Sequence, residues 1–347
     1  MSLPDVFDVD HEKVATFNDD ETGLQCIIAI YDTSRGAAVG GTRMYDYESG
    51  EAALEDVLRL SRAMAYKTAA ADLDAGGGKA VIVGDPETDK SDDLLRAYGR
   101  AVDSMCGTFF TGEDVGITIE DVSVVNEATD YAGGSEIGAD YTARGVLRGI
   151  EASLRHLTDD GSLADVDVVV QGCGDVGSAL VEHLHGAGAE VTVSDVDEAS
   201  VESLVDRFDI DRIEPSKVYD EPCDVFAPCA LGGVINDETV DRLACDVVAG
   251  SANNQLDSPR HAAALEERGI LYAPDYVLNA GGVISGVLGM SPMTDADITE
   301  AVDEIGDRLE RIFESADEED LTTLEAANRL AERRIAAGGS SRLFEMP

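Results

Sequence analysis

Residues 168–195 read VVVQGCGDVGSALVEHLHGAGAEVTVSD, and their hydrophobic period changes twice. Val168, Val169 and Val170 make an apolar run of strand length. Gly172, Gly174 and Gly177 then spell G-x-G-x-x-G, with Cys173, Asp175 and Val176 between them. From Val176 the apolar positions move to helical spacing, with Leu180 and Leu184 on the same face, until Gly186 and Gly188 stop the helix. Residues 189–195 return to strand and end in Asp195, 21 positions beyond Gly174. This strand–turn–helix–strand order is what a dinucleotide-binding turn needs. Gly172 permits the tight turn, Gly174 lets backbone approach a pyrophosphate, and Gly177 allows close helix–strand packing. The helix N-terminus offers free N–H groups and partial positive charge to the anion. Asp195 would accept the adenosine ribose hydroxyls and repel a 2′-phosphate, so NAD is expected ahead of NADP. Asp197 is a competing acid past the strand end. The alternative is a glycine turn that serves packing only.

Outward from this stretch the same alternation continues. Strand-like pieces recur at 225–228 (VFAP), 246–250 (DVVAG) and 270–275 (ILYAPD), separated by helical stretches, which argues for an open, mostly parallel sheet. Upstream, 141–156 reads as a helix, 132–140 (AGGSEIGAD) as a glycine-rich connection, and 118–128 as a short helix. Before that come a strand at 24–31 (LQCIIAIY), a helix over 51–72, and DAGGGKAVIVGDP (74–86), read as a glycine loop, a strand and a turn. Residues 91–105 read as helix, 107–116 (GTFFTGEDVG) as strand then loop, and 296–335 as helical. The fold class expected is α/β in two domains. An N-terminal α/β catalytic domain covers 1–141 plus 320–347, and a Rossmann-type doubly wound dinucleotide-binding domain covers 142–319.

The chain has 347 residues, with 25 Lys and Arg against 71 Asp and Glu, a formal charge of −46. Such a charge opposes nucleic acid and anionic lipid, which need a cationic footprint, so neither is expected as a partner. No stretch reaches the roughly 18 apolar residues of a membrane span. The start, MSLPDVFDVDHEKV, lacks the basic and apolar regions of a signal peptide. At ordinary ionic strength −46 would be self-repelling; in molar salt the Debye length is only about 3 Å and the repulsion largely vanishes. The expectation is a cytoplasmic protein of a salt-loving cell, an acidic mesophilic protein being the alternative. The six Cys form no C-x-x-C and no zinc spacing, and His183 and His185 point to different helix faces, so no metal is expected. Reduced thiols suit a cytosol.

Only five Lys occur, and two of them, Lys67 and Lys79, stand twelve residues apart. Lys79 follows three glycines and is read as lying in a tight loop at a strand start, where a ligand could approach. A compact ammonium can bind a carboxylate or, desolvated, lose its proton and act as a base, and a neighbouring cation helps. The alternative is that each lysine pairs with a surface acid. Asp114, in TGEDVG, could pair with Lys79 or move protons, or could be a turn aspartate. Asn253 and Asn254 follow a strand at the usual ligand edge of an open α/β sheet, where an amide suits both a carboxamide and an amino group. A turn with Asn in the left-handed region is the alternative.

Taken together these stretches resemble the leucine/phenylalanine/valine dehydrogenase branch of the glutamate-type amino-acid dehydrogenases. The shared pieces are AVGGTRM (38–44), MAYKTAAADLDAGGGKAVIVGDP (64–86), TGEDVGIT (111–118), TARGVLRGIEAS (142–153), residues 168–195, APCALGGVIND (227–237), VVAGSANNQL (247–256) and YAPDYVLNAGGVI (272–284). The resemblance implies reversible oxidative deamination of an apolar L-amino acid (Leu, Val, Ile or Phe) to the 2-oxo acid and ammonia with NAD, in a homo-oligomer whose cleft closes on substrate. It makes Lys79 the base that activates water and Asp114 its partner in proton transfer. Lys67 would grip the α-carboxylate beside Gly40 and Gly41. Thr142, Gly172 to Gly177, Asp195, Cys229, Ala230 and Asn253 would touch cofactor, and one of Asn253 and Asn254 substrate. Val39 stands where glutamate-specific relatives carry a lysine, and an unpaired substrate carboxylate there would cost about 3–5 kcal/mol. Val283, Gly112 and Gly286 would line the side-chain pocket, the two glycines replacing larger residues, which either widens it for bulky side chains or is refilled by local helix shifts. Glutamate dehydrogenase activity, and a non-catalytic NAD-sensing protein on the same fold, are the rival readings.

Overall fold

The structure is a computed structural model that describes residues 10–134 and 137–339. The stretch read for a signal peptide lies mostly outside these residues, as do Ser135 and Glu136 of the 132–140 connection and the last eight positions of the tail. The chain divides into two compact units, at Glu136/Ile137 and at Leu330/Ala331.

The first unit is built on a mixed six-stranded sheet. Its elements are β1 (Lys13–Asp19), β2 (Leu24–Asp32), β3 (Ala38–Val39), β4 (Thr42–Tyr45), α1 (Gly50–Ala70), β5 (Gly76–Val83), α2 (Asp92–Asp103), β6 (Phe109–Phe110) and α3 (Ile119–Val125). The strand order is β1-β2-β5-β3-β6, with β4 also on β5. β2 and β5 are apolar on both faces because both faces are covered. Ile28, Ile30, Ala80 and Ile82 join Leu95, Tyr98 and Phe109 in one core. Ala29 and Val81, pointing the other way, pack on Ala53 and Val57 of α1. By this two-residue alternation Lys79 shares the α1 face with Val81.

Two expectations for this unit change. Gly76, Gly77 and Gly78 are not a loop but the first residues of β5, so Lys79 lies within a strand, paired with Ala29 of β2. Glycine is required there by packing: a Cβ on Gly77 would overlap the backbone of Ala65 in α1, and one on Gly78 would come within 2.8 Å of the Phe109 ring. β1, which the sequence reading left out, is an edge strand paired antiparallel to β2 and only partly buried.

The second unit contains α4 (Gly138–Thr158), β7 (Asp167–Gln171), α5 (Asp175–Ala187), β8 (Glu190–Ser194), α6 (Glu198–Phe208), β9 (Asp211–Arg212), β10 (Val225–Pro228), β11 (Val247–Val248), α7 (Arg260–Glu267), β12 (Leu271–Tyr272), α8 (Asp275–Leu278), α9 (Gly281–Gly289), α10 (Asp295–Glu319) and α11 (Thr323–Ala337). The sheet order is β12-β11-β10-β7-β8-β9, with every pairing parallel. Chain order runs outward from β7 to β9, then returns to β10 on the other side of β7. The point where winding reverses therefore lies between β7 and β10, and ligands of open α/β sheets bind outside the carboxyl ends of such a pair. The domain bounds read from sequence fall elsewhere: 141/142 would cut α4 near its start, and the return into the first unit lies within α11 rather than at 320. No described helix is long and apolar enough to cross a membrane.

Candidate active site

In the first unit, β5 and the loop after β6 bring Lys79 and Asp114 together. Lys79 is 6% exposed, and its Nζ lies 3.0 Å from Asp114 Oδ2. Gly40 and Gly41, which follow β3, make this possible. A Cβ on Gly40 would overlap the Gly78 carbonyl; one on Gly41 would overlap the Glu113 carbonyl and sit 3.1 Å from Asp114 Cβ. Lys67 lies in the last turn of α1, the helix that closes on β5 at Gly77, two residues before Lys79. Val39 is buried in β3, in register with Gly77 and Phe110.

The same Asp114 oxygen receives a second cation. Arg43 Nε donates to Asp114 Oδ2 at 3.0 Å, and Arg43 Nη1 donates to Asp56 Oδ2 at 3.1 Å. Asp56 also accepts from the Tyr47 hydroxyl at 2.7 Å and from Arg59 Nη2 at 2.7 Å. Burial pulls the Lys79 ammonium below the usual lysine value; Asp114 pulls it back up and Arg43 pushes it further down. Burial pushes the Asp114 carboxyl up, but Lys79 and Arg43 outweigh it and hold it below the usual carboxylate value. The result is a carboxylate and a buried amine that is easier than normal to deprotonate. Arg43, Asp56 and Tyr47 were not singled out in the sequence. The usable signal was Arg43 itself, two residues beyond Gly41 in the stretch already quoted.

Beneath this cluster the hydroxyls of Thr42, Tyr98 and Thr111 bond to one another, with 2.5 Å between Thr42 and Thr111 and 3.0 Å between Tyr98 and Thr111. They tie β4, α2 and the start of the Asp114 loop. Beside Gly112 the space is occupied: a Cβ there would lie 2.7 Å from the Gly133 carbonyl. Gly112 is thus a close-approach glycine.

In the second unit, Gly172 has φ of +109°, which only glycine adopts easily, and a Cβ on it would come within 2.8 Å of Ala230 and Cys229. The turn after β7 therefore rests on the end of β10, beside Cys229 and Ala230. A Cβ on Gly177 would overlap the Gly172 carbonyl, whereas beside Gly174 there is nothing within 4 Å. α5 has no side-chain N-cap, so its first N–H groups are left for a ligand. Asp195, just past β8, accepts from Cys173 N at 2.6 Å and from Asp197 N at 2.9 Å. Asp197 itself caps α6. These residues fit a dinucleotide: an uncapped helix start, an open glycine at the turn and a carboxylate held beside it.

The remaining predicted residues are placed individually. The Thr142 hydroxyl donates to the Gly138 carbonyl at 2.8 Å and lies against Gly282 of α9. Asn253 accepts from Asn279 Nδ2 at 2.8 Å. Asn254 has φ of +52° and its carbonyl accepts from Gly233 N at 2.7 Å, so it is the left-handed turn residue of the pair. Val283 and Gly286 are half-buried in α9, with open space beside Gly286. Asn279, overlooked in the sequence, is buried with its Oδ1 unpartnered. The predicted residues thus form two groups, Lys67, Lys79 and Asp114 with Val39, Gly40, Gly41 and Gly112 in the first unit, the rest in the second.

A parallel sheet with a glycine turn at its switch point, in a chain whose other unit pairs a buried lysine with an aspartate, defines a dinucleotide-dependent α/β enzyme. Residues 11–133 match the model of the Glu/Leu/Phe/Val dehydrogenase dimerisation domain, and 133–203 and 197–342 match that of glutamate/leucine/phenylalanine/valine dehydrogenase. The leucine dehydrogenase of Thermoactinomyces intermedius is 45% identical over 333 residues, covering 94% of this chain and 91% of that one. The phenylalanine dehydrogenase of Bacillus thermotolerans is 44% identical over 348 residues, covering 96% and 91%. The crystal structure of L-tryptophan dehydrogenase from Nostoc punctiforme superposes with a TM-score of 0.86 at 44% identity, covering 96% of this chain and 98% of that one. The chain belongs to the glutamate/leucine/phenylalanine/valine dehydrogenase family, in its leucine/phenylalanine/valine branch. It is an amino-acid dehydrogenase, an oxidoreductase that works with a nicotinamide cofactor on a small-molecule substrate.

Proposed function

We propose that the protein catalyses NAD-dependent oxidative deamination of an apolar L-amino acid to its 2-oxo acid and ammonia, with Lys79 as the base. The observation that carries this reading is the Lys79–Asp114 pair: a buried amine with a lowered proton affinity, 3.0 Å from a carboxylate. Bound nicotinamide supplies the acceptor for the hydride that leaves the substrate Cα. Lys67 holds the α-carboxylate as a point charge. Neutral Lys79 takes a proton from the water that adds to the iminium carbon; that proton then passes by way of the Asp114 carboxylate to the nitrogen of the carbinolamine, and as the C–N bond breaks and ammonia leaves, Lys79 takes the hydroxyl proton and the 2-oxo group forms. Asn253, its carbonyl held by Asn279, presents its amide to substrate and cofactor.

Asp195 favours NAD over NADP because its carboxylate, fixed by the turn, would face a 2′-phosphate. Val39 brings no cation for a side-chain carboxylate, which favours apolar substrates over glutamate. Leucine, phenylalanine and tryptophan enzymes resemble the chain to similar degrees, and the open space beside Gly286 suits bulky side chains. The dimerisation-domain match to the first unit supports a homo-oligomer, and the −46 charge supports a salt-rich cytoplasm. The test is NADH absorbance with Leu, Val, Ile, Phe, Trp and Glu in molar KCl. Reduction with apolar substrates and not with Glu is expected; preference for Glu would overturn the reading.

A further inference from the structure

We propose that Arg43 is the positioning residue of the Lys79–Asp114 pair, supplying the cation that keeps Asp114 partnered once Lys79 has given up its proton. The inference rests on Lys79 being the base. A neutral lysine leaves its carboxylate partner short of a positive charge in a site where lone charges are costly. Here the shortfall is met in advance, because Arg43 and Lys79 both lie 3.0 Å from the same atom, Asp114 Oδ2.

The guanidinium is itself held from the far side. Arg43 stands on β4, Asp114 on the loop after β6, and Asp56 on α1, so the side chain spans three elements. Asp56 Oδ2 takes Arg43 Nη1 at 3.1 Å and the Tyr47 hydroxyl at 2.7 Å, while its Oδ1 takes Arg59 at 2.7 Å. A planar fork donating in two directions suits this bridge, whereas a lysine would supply charge at one point. The charged groups acting on Lys79 are Asp114 and Asp56, which favour its protonated form, and Arg43, which opposes it. Lys67 lies on the helix packed against the same strand. With both members of each pair charged, Arg43 balances Asp56 and Lys79 balances Asp114. Removal of Arg43 leaves Arg59 on Asp56 but only the amine on Asp114, and Lys79 then holds its proton more tightly.

The signs are opposite for the two ends of the bridge. In Arg43→Gln the acid limb of the kcat/KM profile should move up by about one pH unit or more, with turnover recovering at high pH. Arg43→Lys should bring the limb most of the way back. Asp56→Asn removes a negative charge and should move the limb down. NADH binding and circular dichroism establish that each variant is folded. A limb that stays in place in Arg43→Gln, or a loss of rate equal at all pH values, overturns the proposal, as does failure of Arg43→Lys to restore it. If Arg43→Gln does not fold, Asp56→Asn decides: a limb that stays or rises overturns it. Lys79→Ala separates the two readings. Turnover surviving in that variant removes the base itself; turnover lost there, with an immobile limb in Arg43→Gln, removes only the role of Arg43.

Discussion

Lys79 and Asp114 lie 3.0 Å apart although β3 stands in the sheet between β5, which carries the lysine, and β6, whose following loop carries the aspartate. They meet because the chain beyond β3 is Gly40-Gly41. One glycine lies on the Gly78 carbonyl and the other on the Glu113 carbonyl, where any side chain would hold the two strands' extensions apart.

Gly41→Ala therefore acts on the pair rather than on the core. The added methyl overlaps the Glu113 carbonyl and displaces Asp114, with an overpacking cost of about 1–3 kcal/mol. Turnover should fall at least tenfold while NADH binding is retained, checked by steady-state rates and by fluorescence titration.

The two glycines of the dinucleotide turn should separate folding from binding. Gly174→Ala meets nothing within 4 Å and should leave Tm unchanged while weakening NADH, because the methyl occupies the space a pyrophosphate would use. Gly177→Ala overlaps the Gly172 carbonyl and should lower Tm by several degrees as well. Thermal melts beside binding titrations distinguish them.

Asp195→Ala removes the carboxylate that accepts from Cys173 N and Asp197 N. NAD affinity should fall by about tenfold or more, the cost of a charge-assisted hydrogen bond, and the preference over NADP should narrow. Unchanged preference in kcat/KM for the two cofactors would mean another residue reads the ribose.

Asp303 accepts from Arg144 Nε and Nη2 at 2.6 and 2.7 Å and from Arg148 Nε at 2.9 Å, joining α10 to α4. Burial pushes its carboxyl up, but the two arginines hold it below the usual value. A carboxylate with a depressed folded pKa stabilises above its unfolded value, near pH 4, and that stability is lost as pH falls through the folded value. Asp303→Asn should cost about 1 kcal/mol at pH 7, and in urea melts at falling pH the difference from the parent should shrink and vanish once the pH is below the folded value.

The dinucleotide half was legible because its signal is local. Gly172, Gly174, Gly177 and Asp195 lie within one strand–helix–strand passage, so the turn they build follows from spacing alone. The lysine and the carboxylate were legible as residue types. What brings them together was not, since Gly76 to Gly78 read as a loop when only the packing of α1 and Phe109 shows them to be strand. The bridge made by Arg43 was hidden for the same reason: the arginine stood in view two residues beyond Gly41, but its partners come from a helix and from a loop far along the chain. Asn279 likewise gains meaning only when β11 and α8 place it beside Asn253. The edge strand β1 was missed because, half exposed, it lacks an apolar run.

The central claim is that the buried amine at position 79 is the base of an amino-acid dehydrogenase. Its most direct test is the rate of NADH formation by Lys79→Ala with a good apolar amino acid in molar KCl, beside NADH binding by the same protein. The rate should fall by about 10²–10⁴-fold with binding retained; turnover near that of the parent would contradict the account.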